Sequence, residues 1–219
     1  MSDAATRAFY GRWARLYDLL ATAPGVAAWR ERAVGALALD PGDTVVEMGC
    51  GTGANLPHLR DAVGPSGTVV GLDVTPAVLA RARERVRRRG WENVALARAD
   101  ATGPPLDGPV DAVLATFVVG LFDDPPAAVG EWCRLASGGR VALLNLQASD
   151  RALAAPLNLA FDGLVWLASP GVAWPEERPG ARHGERVRSA REALTDRTVE
   201  RSFREFAGGY VGLLAGRVA

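Results

Sequence analysis

Between Val45 and Gly53 the chain reads VVEMGCGTG: two β-branched residues run into Glu47, and Gly49, Gly51 and Gly53 follow at alternate positions. Further carboxylates come at Asp73 and Asp100, after the runs GTVVGL and NVALARA. A turn this rich in glycine lets main-chain amides approach a ligand more closely than a Cβ would allow, and a helix starting beyond it adds partial positive charge. Two ligand classes suit such a turn: the pyrophosphate of a dinucleotide, and the amino-acid end of S-adenosylmethionine. The glycines alone do not choose, because Gly49, Gly51 and Ala54 also satisfy the loose dinucleotide fingerprint.

The acids do choose. Glu47 stands two residues before the first glycine, where a carboxylate repels a pyrophosphate but attracts a ligand carrying an ammonium and a sulfonium. Asp73 comes about twenty residues past the loop, the spacing at which a carboxylate accepts hydrogen bonds from both ribose hydroxyls. Asp100 is positioned to accept from an adenine amino group, and the backbone N–H of Ala101 to meet the ring. A sulfonium loses its charge as its methyl leaves, so acids that held it tightly would raise the barrier. Glu47 is therefore expected to hold the ammonium.

Strands have to carry these acids to one edge. Thr44–Met48 reads as a buried strand, GTVVGLD as the second, NVALARAD as the third, PVDAVLATFVV as the fourth and RVALLNL as the fifth. Phe9, Trp13, Leu16, Tyr17 and Leu20 recur at helical spacing, and Pro24 opens a second helix reaching about Leu39. Helices are also expected over ANLPHLRDAV, from a cap at Thr75-Pro76 through Arg89, and from Pro125 to Leu135. ERVRSAREALTD reads as a last helix, and TVERSFREF and YVGLLAGRV as a closing antiparallel hairpin joined at Gly208-Gly209. The pattern predicts an α/β fold: a Rossmann-like, doubly wound sheet of about seven strands, mostly parallel, with helices on both faces and ligands at its carboxyl edge.

Residues 1–39 are expected to form an N-terminal helical cap and 40–219 the ligand-binding domain. Within it, an apolar insertion at about 148–180 is expected to act as a lid or acceptor-pocket wall. Its core, RALAAPLNLAFDGLVWLAS, is short for a membrane span and is interrupted by Asn158 and Asp162. Trp166 and Trp174 would suit a flat or greasy acceptor.

Composition bounds the rest. A chain of 219 residues with 48% hydrophobic and 23% charged residues is ordinary for a soluble protein with one substantial core. Zero net charge gives no sign of a nucleic-acid partner, and none is expected. Cys50 and Cys133 cannot build a disulfide framework, and no metal is expected. MSDAATRAFYGRWARLYD contains no apolar stretch of the secretory kind, so the expected location is the cytoplasm. All 25 basic residues are arginine, many of them in RARERVRRRG. That stretch reads first as a solvated helix face; its sharper reading is attraction to an anionic membrane, which makes peripheral membrane contact a second expectation.

In combination, VVEMGCGTGANLPHL, GLDVTPAVLARARER and ARADATGPPL resemble the successive motifs of class I S-adenosylmethionine-dependent methyltransferases. VDAVLATFVVGLFDDPPAAVGEWCRLASGGRVALLNL is similar to the remaining core of that fold. The resemblance, over about Asp40 to Leu146, implies methionine-moiety contacts near Glu47, Gly49 and Gly51, ribose contact at Asp73 and adenine contact at Asp100 and Ala101. The implied donor site also takes in Cys50, Gly53, Val74 and Thr116. FYGRWARLYD resembles the opening helix of the ubiquinone/menaquinone-biosynthesis C-methyltransferases, where a Tyr-Asp pair lies near the donor, which adds Tyr17. FREFAGGYVGLLAG is similar to that family's closing hairpin. That family carries a polar segment with Arg and Asn after its fourth strand, whereas TFVVGLFDDP is more apolar.

The remaining titratable groups are weaker candidates. Tyr10 reads as a packing aromatic, His58 as a surface residue beside the glycine loop, and His183 as a solvated loop residue. If the acceptor is a hydroquinone carbon, a base must take the phenolic proton, and Tyr17, His58, Asp123 and Asp124 are the candidates. Three functions are weighed: a methyltransferase for a small hydrophobic acceptor such as a quinone precursor, a phospholipid-amine N-methyltransferase, and a non-catalytic nucleotide-binding module or dinucleotide enzyme. Glu47 and the closing hairpin argue against the third.

Overall fold

The fold is that of a computed structural model, which describes residues 24–149, 158 and 179–219. In chain order the helices are α1 (Pro24–Gly35), α2 (Leu56–Val63), α3 (Pro76–Arg89), α4 (Pro125–Leu135) and α5 (Pro179–Arg197). The strands are β1 (Thr44–Met48), β2 (Thr68–Asp73), β3 (Val94–Arg98), β4 (Ala112–Thr116), β5 (Arg140–Leu146), β6 (Thr198–Phe206) and β7 (Val211–Val218). The expected first helix around Phe9–Leu20 and the apolar segment around 151–169 lie outside the described residues, apart from Asn158.

The seven strands form one sheet in the order β3-β2-β1-β4-β5-β7-β6. The pairs among β1 to β5 are parallel, and β7 runs antiparallel between β5 and β6. This is the expected doubly wound sheet with its closing hairpin. The central strands are buried on both faces, so they read as continuous apolar runs, and adjacent residues serve opposite sides. Met48 and Leu143 join a core with Trp132 and Leu194 of α4 and α5. On the opposite side Val45 and Leu144 join Leu37, Leu56, Leu59 and Ala82 beneath α1, α2 and α3.

Prolines open α2, α3 and α4, where a missing N–H costs nothing. Asp124 caps α4 by accepting from Ala127 N at 3.1 Å. Thr75 occupies the N-cap position of α3, but its side chain makes no capping bond; its amide donates to Asp73 Oδ1 at 2.8 Å instead. The fourth strand ends at Thr116, short of the expected Val119. Phe117 adopts φ 59, a left-handed conformation that no extended strand can include, and a 3₁₀ turn over Val119–Leu121 follows. The last helix is longer than ERVRSAREALTD and includes His183, which the sequence reading placed in a loop.

Register brings the site to one edge. Met48 pairs with Leu72 and with Ala115, and Asp73 pairs with Arg98, so the carboxyl ends of β1, β2, β3 and β4 finish nearly level. Among the described residues no helix is long and apolar enough to cross a membrane.

Candidate functional site

The glycine loop leaves β1 at Met48 and is tied at once to β2, because Cys50 N donates to Leu72 O at 2.8 Å. Gly49, Gly51 and Gly53 all take positive φ, of 71°, 54° and 78°. At two of these positions the space beside the glycine is filled by the protein itself. A Cβ on Gly49 would lie 2.8 Å from Val118 Cγ2, and one on Gly53 would lie 2.5 Å from Leu56 Cδ1. The glycines at 49 and 53 are thus required by backbone geometry and by close packing of the chain on itself, whereas the sequence reading attributed the lack of Cβ atoms to ligand approach.

Beneath the loop Glu47 is buried, 1% exposed. Asn55 Nδ2 donates to Glu47 Oε1 at 2.5 Å, while Oε2, equally enclosed, has no hydrogen-bond partner among the described residues. Burial pushes the Glu47 carboxyl up to about 7; the Asn55 hydrogen bond and the positive charge of Arg30 oppose this, and Asp73 adds to it. The network continues outward. Arg30, from α1, donates through Nη1 to Asn55 Oδ1 at 3.1 Å and to Thr116 Oγ1 at 2.9 Å. Asn55 Nδ2 also donates to Thr116 Oγ1, at 2.9 Å.

Asp73, at the end of β2, accepts from Gly51 N at 2.9 Å and from Thr75 N at 2.8 Å. Burial raises its pKa, and the Thr75 and Gly51 amides and the Thr75 side chain restrain the rise. Val74, next along, is 50% exposed and turns an apolar face to solvent beside this acid. Asp100 is exposed, with Oδ1 accepting from the amide and hydroxyl of Thr102, both at 2.8 Å. Ala101 is buried, and its carbonyl accepts from Trp132 Nε1 at 2.7 Å.

A narrow concavity opens over the loop, lined by Arg30, Gly49, Cys50, Gly51, Thr52, Ala54 and Thr116. Its volume is about 10 Å³, room for about one water. Four expected donor-site residues, Gly49, Cys50, Gly51 and Thr116, therefore line one depression, with Glu47 below it and Asp73 hydrogen-bonded to its rim. The charges fit the amino-acid end of S-adenosylmethionine, since Glu47 Oε2 is a buried acceptor with no hydrogen-bond partner among the described residues. The depression is smaller than that group.

The other candidates are dispersed. Tyr17 lies outside the described residues. His58 is half-buried on α2 and does not line the concavity. Asp123 is exposed and ion-paired with Arg186, and Asp124 is engaged as the α4 cap. His183 packs its ring against Gly120, and Nε2 lies 3.1 Å from Leu146 O. Burial lowers its pKa; the Leu146 contact opposes that and Arg186 reinforces it.

Arg30 and Asn55 were not singled out from sequence, and each had a signal. Arg30 falls in the helical stripe with Ala33, Val34 and Leu37, all buried, so an arginine occupies a core position. Asn55 occupies an N-cap position, which disguises it, but its side chain makes no cap bond.

The methyltransferase domain family matches residues 45–139. The chain is 36% identical over 154 residues to a phosphatidylethanolamine N-methyltransferase of Cereibacter sphaeroides, covering 68% of this chain and 71% of that protein. It is 40% identical over 120 residues to a demethylmenaquinone methyltransferase of Thermus thermophilus, covering 53% of each. Against three other curated relatives, including an arsenite methyltransferase of Halobacterium salinarum at 34% identity, the match spans only 28–38% of their length. In fold the chain is similar to the structure of a complex between the Haloferax volcanii Trm112 methyltransferase activator and a putative methyltransferase, with TM-score 0.71, 19% identity and 97% of both chains covered. With its glycine loop, its strand-end acids and its closing hairpin, the chain belongs to the methyltransferase domain family, within the class I S-adenosylmethionine-dependent methyltransferases.

Proposed function

We propose that the protein transfers a methyl group from S-adenosylmethionine to a small hydrophobic or lipid-like acceptor. The observation that carries this reading is the buried, half-satisfied carboxylate of Glu47 directly beneath the glycine loop. The bound donor supplies an electrophilic methyl on a sulfonium. Glu47 Oε2 takes the ammonium, the amides of the glycine loop line the amino-acid end, Asp73 takes the ribose hydroxyls, and Asp100 and Ala101 meet the adenine. Exposed Val74 offers the adenine a flat apolar contact. Displacement at the methyl asks the protein mainly to align the reactants and exclude water.

Two acceptors have support. A quinone precursor suits the demethylmenaquinone methyltransferase relative and the apolar stretch after β4. A phospholipid amine suits the relative that matches over most of both chains. It also suits the placement of the base candidates, because an amine needs less help with its proton than a hydroquinone carbon does. Asp123 and Asp124 already serve an ion pair and a helix cap.

Incubation with methyl-labelled donor and a total lipid extract tests this reading. Label in polar headgroup lipids selects the amine and rejects the quinone; label in the quinone fraction does the reverse. Calorimetry with S-adenosylmethionine against NAD tests the donor, and binding of NAD alone would overturn it.

A further inference from the structure

β6 closes one end of the sheet, and among the described residues no strand pairs with its outer side. We propose that this edge is the contact surface for a second copy of the chain, joined antiparallel about a two-fold axis at Phe203 so that the two sheets run on as one. The inference is independent of the donor and of the acceptor. Open edge strands bind other strands, and proteins usually blunt them with charges and bulges. β6 has both: a bulge between Val199 and Ser202, where Glu200 takes φ 49, and exposed Arg201, Arg204 and Glu205. It also carries Val199 and Phe203, 40% and 50% exposed, two of the four large hydrophobic side chains exposed among the described residues.

The order of the charges favours one pairing. A two-fold normal to the sheet keeps each face on its own side, and side chains alternate along a strand, so one residue must stand opposite itself on the axis. An axis at Arg204 or Glu205 sets like charges against each other. An axis at Ser202 calls on Glu200, which sits in the bulge and already accepts from Arg140 and Arg217. An axis at Phe203 sets Ser202 opposite Arg204, and Arg201 opposite Glu205, each twice by symmetry.

Arg201, Phe203 and Glu205 share one face. Phe203 and Glu205 pair with Leu214 and Gly212, and a Cβ on Gly216, on that same face, would lie 3.1 Å from Arg201 Cγ. Each charge is tethered at one point: Arg201 Nη1 donates to Thr195 O at 2.8 Å, and Gln147 Nε2 donates to Glu205 Oε1 at 3.0 Å. Neither is ion-paired among the described residues, so each is open to an opposite charge on a second copy. Phe203 has the Arg191 guanidinium over its ring, 5.0 Å from the centroid, and at the axis it meets its own counterpart.

Sedimentation equilibrium of the whole protein, over about 1 to 200 μM, tests this; so short an interface should give a dimer with Kd on the order of 10 μM. Arg201→Glu opposes acid to acid at both symmetric contacts, and Glu205→Arg opposes base to base. Each variant alone should therefore dimerise at least about tenfold more weakly. Mixed in equal amounts, the two variants should associate with each other at close to wild-type affinity, because every altered charge then meets its opposite. A wild type that stays monomeric over the whole range overturns the proposal and leaves the edge to a strand of another protein. An undiminished dimer in either single variant overturns it as well, and so does a mixture that associates no more tightly than its components. If a charge variant does not fold, Phe203→Glu takes its place. It sets two acids against each other on the axis and should be monomeric; an undiminished dimer there overturns the proposal.

Discussion

Asn55 Nδ2 lies 2.5 Å from Glu47 Oε1, while Glu47 Oε2, on the same buried carboxyl, has no hydrogen-bond partner among the described residues. One oxygen is satisfied and the other waits. The result is an acid that exchanges its proton near neutrality inside the core, with its pKa pushed up to about 7 by burial.

Stability should reflect that proton. The folded pKa of Glu47 lies above its ordinary value of 4.5, so between these limits the folded state binds more protons than the unfolded one. Stability from this group is therefore full below pH 4.5 and declines as pH rises through 7. Glu47→Gln mimics the protonated form, so it should match the wild type in acid and exceed it at pH 8 by up to about 3 kcal/mol. Urea denaturation of both proteins from pH 4.5 to 8 checks this; a difference independent of pH would show that the carboxyl is not perturbed.

Donor binding should carry the same proton. A ligand ammonium favours ionised Glu47, so S-adenosylhomocysteine binding below pH 7 should release up to one proton per site. Affinity should weaken by as much as about tenfold per unit as pH falls further. Calorimetry at pH 6.5 in buffers of different ionisation enthalpy measures the release, and Glu47→Gln should abolish it.

Asp73→Ala should weaken donor affinity by about tenfold to a hundredfold, since hydrogen bonds to a charged acceptor are lost. It should also lower stability, because the amides of Gly51 and Thr75 lose their acceptor. Unchanged donor affinity in a folded variant would exclude Asp73 from the site.

Gly120→Ala tests the contact beneath the β4–α4 turn. A Cβ there would stand within 2.3 Å of ring atoms of His183, so the helix must shift or the ring must leave. The cost should be about 1–3 kcal/mol, a fall in Tm of roughly 2–4 °C for each kcal/mol in a chain of this size. Adding His183→Ala should recover part of the loss, and additive losses would show that the two residues do not touch.

What was legible in the sequence was local. The glycine loop, Glu47 and the strand-end acids lie within short motifs whose spacing suggests their roles, and short continuous apolar runs between helical patterns gave the central strands. What stayed hidden depends on three dimensions or on a single torsion. Arg30 and Asn55 meet across 25 residues, the first on α1 and the second at the N-cap of α2. The left-handed turn at Phe117 stops β4 inside an unbroken apolar run, where periodicity shows no change. His183 looked solvated in a Pro/Gly-rich stretch, yet α5 carries its ring onto Gly120.

The position of β7 bears on how the chain is made. Arg140 of β5 finds its partner at Arg217, more than seventy residues later, and β6 reaches the rest of the sheet only through β7. At ordinary translation speeds the apolar flank from Val141 to Leu144 emerges from the ribosome several seconds before the strand that covers it, roughly 4 to 15 s. During that interval the nascent chain presents an open template for another polypeptide. Yield at high expression should therefore depend on chaperone supply more than on the stability of the finished protein.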